Sequence, residues 1–400
     1  MHYSLTRATL WNLAGYLYLI IASLIATPVL VHQLGLSLFA QYSLIIATLV
    51  LVSSFNLGLP QAVTRALAKK KTLTLWVTSS LLFILTGVVG GILATIIAYY
   101  LGVRYAILPV IFAIALMSNL VAHYQTLPHA EGHFGYFNAK TFIVGTANTL
   151  LAAYLAWIGQ GIAVILSSQL LCYLITLLPL VFFSLKHFPR PWQGKPSLLV
   201  AKSLLVFGLK NQVGTFIGQI QSQYAKYLLA VLSPLTLSAY IIAQGLVQKL
   251  AGGVTSLATA LYPASSRSNI RPLYHRLQIA LVCSGLLAIF VFRIFGFVFL
   301  TWWLNSPDLV TLVHSILTLL IWYFGILILT PLASTILDSR GRPELTSLFA
   351  TLTTIIEIVI AILLFPRYGL FAPVYGALIA VSLTTPVLLF TTERVLKSTI

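Results

Sequence analysis

Apolar runs of about twenty residues recur along the whole chain, separated by short segments that hold most of its charge. Each run is long enough to cross a hydrocarbon core about 30 Å thick at 1.5 Å per helical residue. Lipid offers no water to unpaired backbone groups, so runs of this kind fold as helices with their hydrogen bonds satisfied internally. Composition agrees, since 59% of the 400 residues are hydrophobic and 7% are charged, against roughly 25% charged in a soluble domain. Gly, Pro and charged residues mark off spans near 10–31, 38–64, 75–100, 105–126, 140–158 and 161–184 in the first half. The second half gives 205–231, 236–262, 277–300, 309–337, 345–365 and 370–391. The expected fold is all-α: a polytopic membrane protein of about 12 transmembrane helices.

The net charge of +17 would suggest nucleic acid if the basic residues lay on one soluble face. Instead they sit between apolar runs, and no nucleic-acid partner is expected. Seventeen Lys and Arg residues, from Arg7 to Lys397, fall before the first span, after the last and between spans 2/3, 4/5, 6/7, 8/9 and 10/11; the alternate loops hold two, Arg104 and Arg367. That asymmetry predicts both termini in the cytoplasm. Arg7 and the run from Leu10 read as a retained first span rather than a signal peptide, because no small-residue cleavage pattern interrupts it. The longest loop divides the chain into an expected six-helix lobe 1–184, a cytoplasmic linker 185–202 and a second six-helix lobe 203–400. Loops on the other side are a few residues long, which leaves no room for an extramembrane catalytic domain, and an enzyme is not expected. Cys172 and Cys283 lie in apolar segments as packed side chains. His129 and His133 are separated by Gly132 beside Pro128, a turn rather than one helical face, so no metal or other cofactor is expected.

The two halves share a weak internal repeat. Asn12-Leu13-Ala14-Gly15 recurs as Asn211-Gln212-Val213-Gly214, and Leu36 to Tyr42 aligns with Pro234 to Tyr240. Parallel repeats with six spans each are found in transporters that bind substrate between two lobes. The opening half carries Leu10-Trp11-Asn12-Leu13, Thr27-Pro28, Leu34-Gly35, Tyr42-Ser43 and Asn56-Leu57-Gly58-Leu59, with Arg65 shortly after. The second half carries Tyr240, Leu261-Tyr262-Pro263 and Gly341-Arg342-Pro343. In these residues, spread over nearly the whole chain, it resembles polysaccharide-unit flippases of the Wzx type, within the multidrug/oligosaccharidyl-lipid/polysaccharide exporter superfamily. Span 7 of such proteins often has a basic residue followed by an acid; here the stretch reads Gln221-Ser222-Gln223-Tyr224-Ala225-Lys226, without the acid.

Charged groups inside spans are costly and point to function. Lys210, Lys226, Lys249 and Arg293 qualify, all in the second half, against a single acid, Glu357. The imbalance calls for an anionic partner from outside the chain. In span 7, Gln212, Gln219, Gln223 and Lys226 share one helical face, and in span 8 Tyr240, Gln244 and Gln248 form another with Lys249 at its edge. Asn12 and Tyr16 supply a corresponding wall in span 1. These residues are the candidate substrate site, with Lys226, Lys249 and Arg293 for phosphate and the amides and tyrosine for hydroxyls. Glu357 is an ion-coupling candidate that could carry a proton or pair with Lys249 or Arg293. Gly87 and Gly91 read as a helix-packing pair in span 3.

The resemblance implies a flippase that moves undecaprenyl-diphosphate-linked oligosaccharide units across a bacterial inner membrane by alternating access, for O-antigen or other surface polysaccharide. It also implies membrane lipids as neighbours, with a polysaccharide polymerase and a chain-length regulator as partners. The alternatives are a cation-coupled multidrug antiporter of the same superfamily and a membrane-embedded polymerase or ligase. The antiporter calls for an acid in the first lobe, and spans 1 to 6 contain none.

Overall fold

A computed structural model describes residues 5–260 and 270–398, which are overwhelmingly α-helical and, among those described, without strands. The Leu261-Tyr262-Pro263 signature and Arg267 lie outside them. Every expected span falls largely on helix, with breaks inside 38–64 and 309–337. Among the described residues seven stretches are long and apolar enough to cross a membrane, and two of these, Leu17–Asn56 and Pro343–Lys397, each take in most or all of two expected spans. The chain forms two compact units, Met1–Gln219 and Ile220–Ile400.

The first unit opens with α1 (Leu5–Ser53), whose 49 residues are interrupted at Gly35, with φ 73° and ψ 162°. A straight helix of that length would run about 74 Å, far beyond a bilayer. Its two arms instead meet the same neighbour: Tyr18 hydrogen-bonds Thr146, while the Tyr42 hydroxyl reaches the Asn148 carbonyl at 3.4 Å. The chain therefore doubles back at Gly35. Gln169 Nε2 also donates to the Tyr42 hydroxyl at 2.8 Å, which fixes the second arm to the sixth span.

Span 2 ends earlier than its hydropathy suggests. A 3₁₀ turn, Ser54–Asn56, leads through Leu57 (φ 55°) and Gly58 (φ 68°), both left-handed, into the amphipathic α2 (Leu59–Lys69). Asn56 Oδ1 accepts the Gly58 N–H at 3.1 Å and closes the turn, and a proline in the first helical turn restarts the helix. The unit continues with α3 (Leu73–Tyr100), α4 (Leu108–Ala130) and α5 (Phe134–Thr146), which passes through a π-helical turn, Ala147–Leu151, into α6 (Ala152–Trp157). Then come α7 (Ile162–His187) and α8 (Leu198–Leu229), whose residues from Ile220 on belong to the second unit. Gly87 and Gly91 seat α3 against α4, because a Cβ at either would strike Leu116 or Phe112. This is the packing role expected of the pair.

In the second unit α9 (Pro234–Ala260) is followed by α10 (Arg271–Leu304), α11 (Pro307–Leu327), α12 (Thr330–Ser339), α13 (Pro343–Tyr368) and α14 (Ala372–Ser398). The single span expected at 309–337 is thus a broken helix. Pro331 stands in the first turn of α12, where its missing N–H has no helical partner to lose.

Candidate functional site

The second unit buries one carboxylate among polar groups. Glu357, on α13, is 5% exposed. Gln221 Nε2 donates to its Oε2 at 2.6 Å and the Tyr224 hydroxyl to its Oε1 at 3.1 Å. Thr354, one turn before, donates to Gln221 Oε1 at 3.2 Å and orients that amide toward the acid. Tyr240 and Tyr323 lie within electrostatic range of the same carboxylate. Among the described residues Glu357 forms no ion pair; of the two alternatives left open for it, pairing with Lys249 or Arg293 is not seen, and neutral donors from α8 contact it. The span 7 stretch that lacks an acid of its own therefore meets one supplied by α13.

Around the helix from Gln221 runs the polar face expected in span 7. Lys226 Nζ donates to Gln223 Oε1 at 2.7 Å, and Gln223 Nε2 donates to Ser222 Oγ at 3.0 Å. Across the hairpin Gln244 Nε2 reaches the Ser222 carbonyl at 3.3 Å, which joins α9 to α8 at that level. Lys249, partly buried on α9, folds back along its own helix, so that a Cβ at Gly245 would lie 3.9 Å from its ammonium. Gln248 is exposed.

Three candidates stand elsewhere. Gln212 belongs to the first unit, where its side-chain amide donates to the buried Ser54 carbonyl. Gln219 is the last residue of that unit and is partly buried. Arg293 occupies an exposed position on α10, beside exposed Ile294 and Phe295 and within electrostatic range of His314. The side chains of Asn12, Tyr16, Lys210 and Asn211 lie outside the described residues.

Gln221 and Tyr224 were not candidates in the sequence. Their signal was present as a second polar face of span 7, opposite the one that carries Gln223.

The same α-helical fold occurs in solved transporters. The chain matches the lipid II flippase MurJ in an inward closed conformation with a TM-score of 0.74 at 14% identity, over 96% of this chain and 87% of that one. It matches an inward-facing multidrug-resistance MATE transporter of the MOP superfamily with a TM-score of 0.65 at 15% identity, over 98% and 96%. A third match is a MOP-superfamily transporter from Pyrococcus furiosus whose binding pocket has reverse polarity, with a TM-score of 0.60 at 15% identity over 98% and 96%. No protein-family model and no curated protein sequence matches.

Proposed function

We propose that this multi-pass membrane protein is a flippase that carries an undecaprenyl-diphosphate-linked oligosaccharide unit from the cytoplasmic to the outer leaflet of a bacterial inner membrane. The observation that carries the reading is a pair of membrane-embedded lysines in one hairpin, with no acid of that hairpin to neutralise them. Gln244 and Ser222 fix the register of the two helices. Lys226 lies four residues from that level toward the connecting turn and Lys249 five residues away from it. At 1.5 Å per residue the two backbone positions are about 13 Å apart along the helix axes. Two cationic positions at different depths suit a group that travels, because a single tight site would hold the diphosphate without releasing it. At an effective dielectric near 20, an ammonium about 4 Å from a phosphate charge contributes about 4 kcal/mol toward drawing it out of the headgroup layer. Gln223, already bound to Lys226, and Gln248 add donors and acceptors for sugar hydroxyls. The fold shared with a lipid II flippase supports a lipid-linked cargo. O-antigen or another surface polysaccharide is the destination, with a polymerase and a chain-length regulator as partners, and alternating access between lobes 1–184 and 203–400 is the mechanism.

The test is transport of a fluorescent undecaprenyl-diphosphate saccharide by the purified chain in proteoliposomes. Lys226→Ala and Lys249→Ala should each slow it at least tenfold, with the Arg variants retaining a larger share. Parental rates in both Ala variants would overturn the mechanism. Glu357, a buried acid without a described cation, supports a second reading, the cation-coupled antiporter, with its acid in the second lobe rather than the first. That reading gains if the liposomes move no saccharide but exchange an organic cation against a sodium or proton gradient.

A further inference from the structure

The linker between α7 and α8 is held at three points. Phe188 is buried and stacks on Trp76 with ring centroids 5.1 Å apart. The backbone of Gly194 lies against the side chains of Leu73 and Val77, where no Cβ would fit. The Ser197 N–H donates to Thr78 Oγ1 at 3.0 Å. These contacts pin the segment along the first turns of α3. What they leave facing outward is apolar: Trp192 is 75% exposed, Leu198 86% and Leu199 81%. Interleaved with them are Arg190, Lys195 and Lys202, all exposed, and residues 185–202 contain no acid.

The apolar surface is continuous with one that belongs in lipid. Exposed residues of α7 at Leu171, Leu174, Leu178, Phe182 and Leu185 follow helical spacing up to the start of the linker. An indole and two leucines beyond the end of such a stripe sit at headgroup depth, where Trp is favoured because its ring is apolar and its N–H can still reach water. Basic side chains at that depth are drawn to anionic lipid, and a mixture of apolar and basic groups is the pattern of a segment lying in the interface.

We infer that residues 190–202 form an interfacial anchor that binds anionic phospholipid headgroups through Arg190, Lys195 and Lys202 while Trp192, Leu198 and Leu199 enter the boundary with the acyl chains. The anchor holds the junction of α7 and α8 at fixed depth. It is independent of what the chain transports.

The full chain would be tested with its cysteines replaced (Cys172→Ser, Cys283→Ser) and one fluorophore attached after Gln193→Cys. It is placed in bilayers of phosphatidylcholine alone or of equal parts phosphatidylcholine and phosphatidylglycerol, with a nitroxide quencher at headgroup level. Quenching should be at least twofold stronger in the anionic bilayer and should fall at least twofold with Arg190→Gln/Lys195→Gln or with Trp192→Ser. Equal quenching in both bilayers that neither variant changes overturns the proposal, as does shielding of the fluorophore only when another membrane protein is added. If the variants fail to fold, the unaltered chain in detergent decides: phosphatidylglycerol should raise its melting temperature more than phosphatidylcholine does, and equal shifts overturn the proposal.

Discussion

Glu357 and Gly58 show how single residues constrain this chain, one through chemistry and one through space. Glu357→Gln removes the charge and keeps a side chain of the same size within reach of Tyr224 and Gln221. If coupling runs through the carboxylate, the variant transports without dependence on a proton or sodium gradient, measured as saccharide flipping with and without the gradient; an unchanged dependence rejects the role. Gly58 is left-handed, and a Cβ there would strike the Gly208 backbone of α8. Gly58→Ala combines backbone strain of about 1–2 kcal/mol with overpacking of about 1–3 kcal/mol, and thermal unfolding of the purified chain should show a correspondingly large loss. The Asn56-Leu57-Gly58-Leu59 signature is thereby explained: it builds the turn that lets α8 pack closely. Helical spacing puts Gln212, Gln219, Gln223 and Lys226 at similar angles around span 7, but periodicity reports only angle. It could not tell that the amide at 212 meets the Ser54 carbonyl while the one at 223 meets a lysine.

At the scale of elements, hydropathy with its Gly and Pro punctuation located the spans, and the structure adds how the chain turns between and within them. Gly35 lies in the gap between the expected spans 10–31 and 38–64, and its backbone adopts a conformation almost confined to glycine, although the apolar stretch 17–56 runs through it. Pro331 marks the break before α12 in the sequence, whereas the π-helical turn at Ala147–Leu151 leaves no such mark. Gly35 offers a clean measure of such a break. Nothing lies within 4 Å of where its Cβ would be, so Gly35→Ala bears backbone strain alone, about 1–3 kcal/mol. Its melting temperature should therefore fall less than that of Gly58→Ala. The reverse order would mean that Gly35 is held by contacts rather than by the turn.

Across the whole molecule the alternation of charged loops was the most legible feature, and contacts within each unit agree with it. In the first unit Lys71, His133 and His187, from loops 2/3, 4/5 and 6/7, converge on Glu131, with His187 at 2.8 Å and His133 at 3.7 Å. Those three loops share a side. In the second unit Arg271 and His275 pair with Glu393, which places loop 8/9 beside the end of the last helix. Surface pairs of this kind add little stability, but they fix which ends of the helices lie together. Which of the two sides faces the cytoplasm rests on the loop charges, seventeen basic residues against two. Single cysteines in a chain lacking Cys172 and Cys283 would test it through an impermeant maleimide applied to spheroplasts. Arg104→Cys and Arg367→Cys should label from outside, and Lys70→Cys and Arg342→Cys only after the membrane is opened. All four positions are exposed, so a failure to label reports sidedness rather than burial. The opposite pattern would invert the direction proposed for transport and place Lys226 nearer the cytoplasm than Lys249, since the level shared by Ser222 and Gln244 fixes their order along the hairpin.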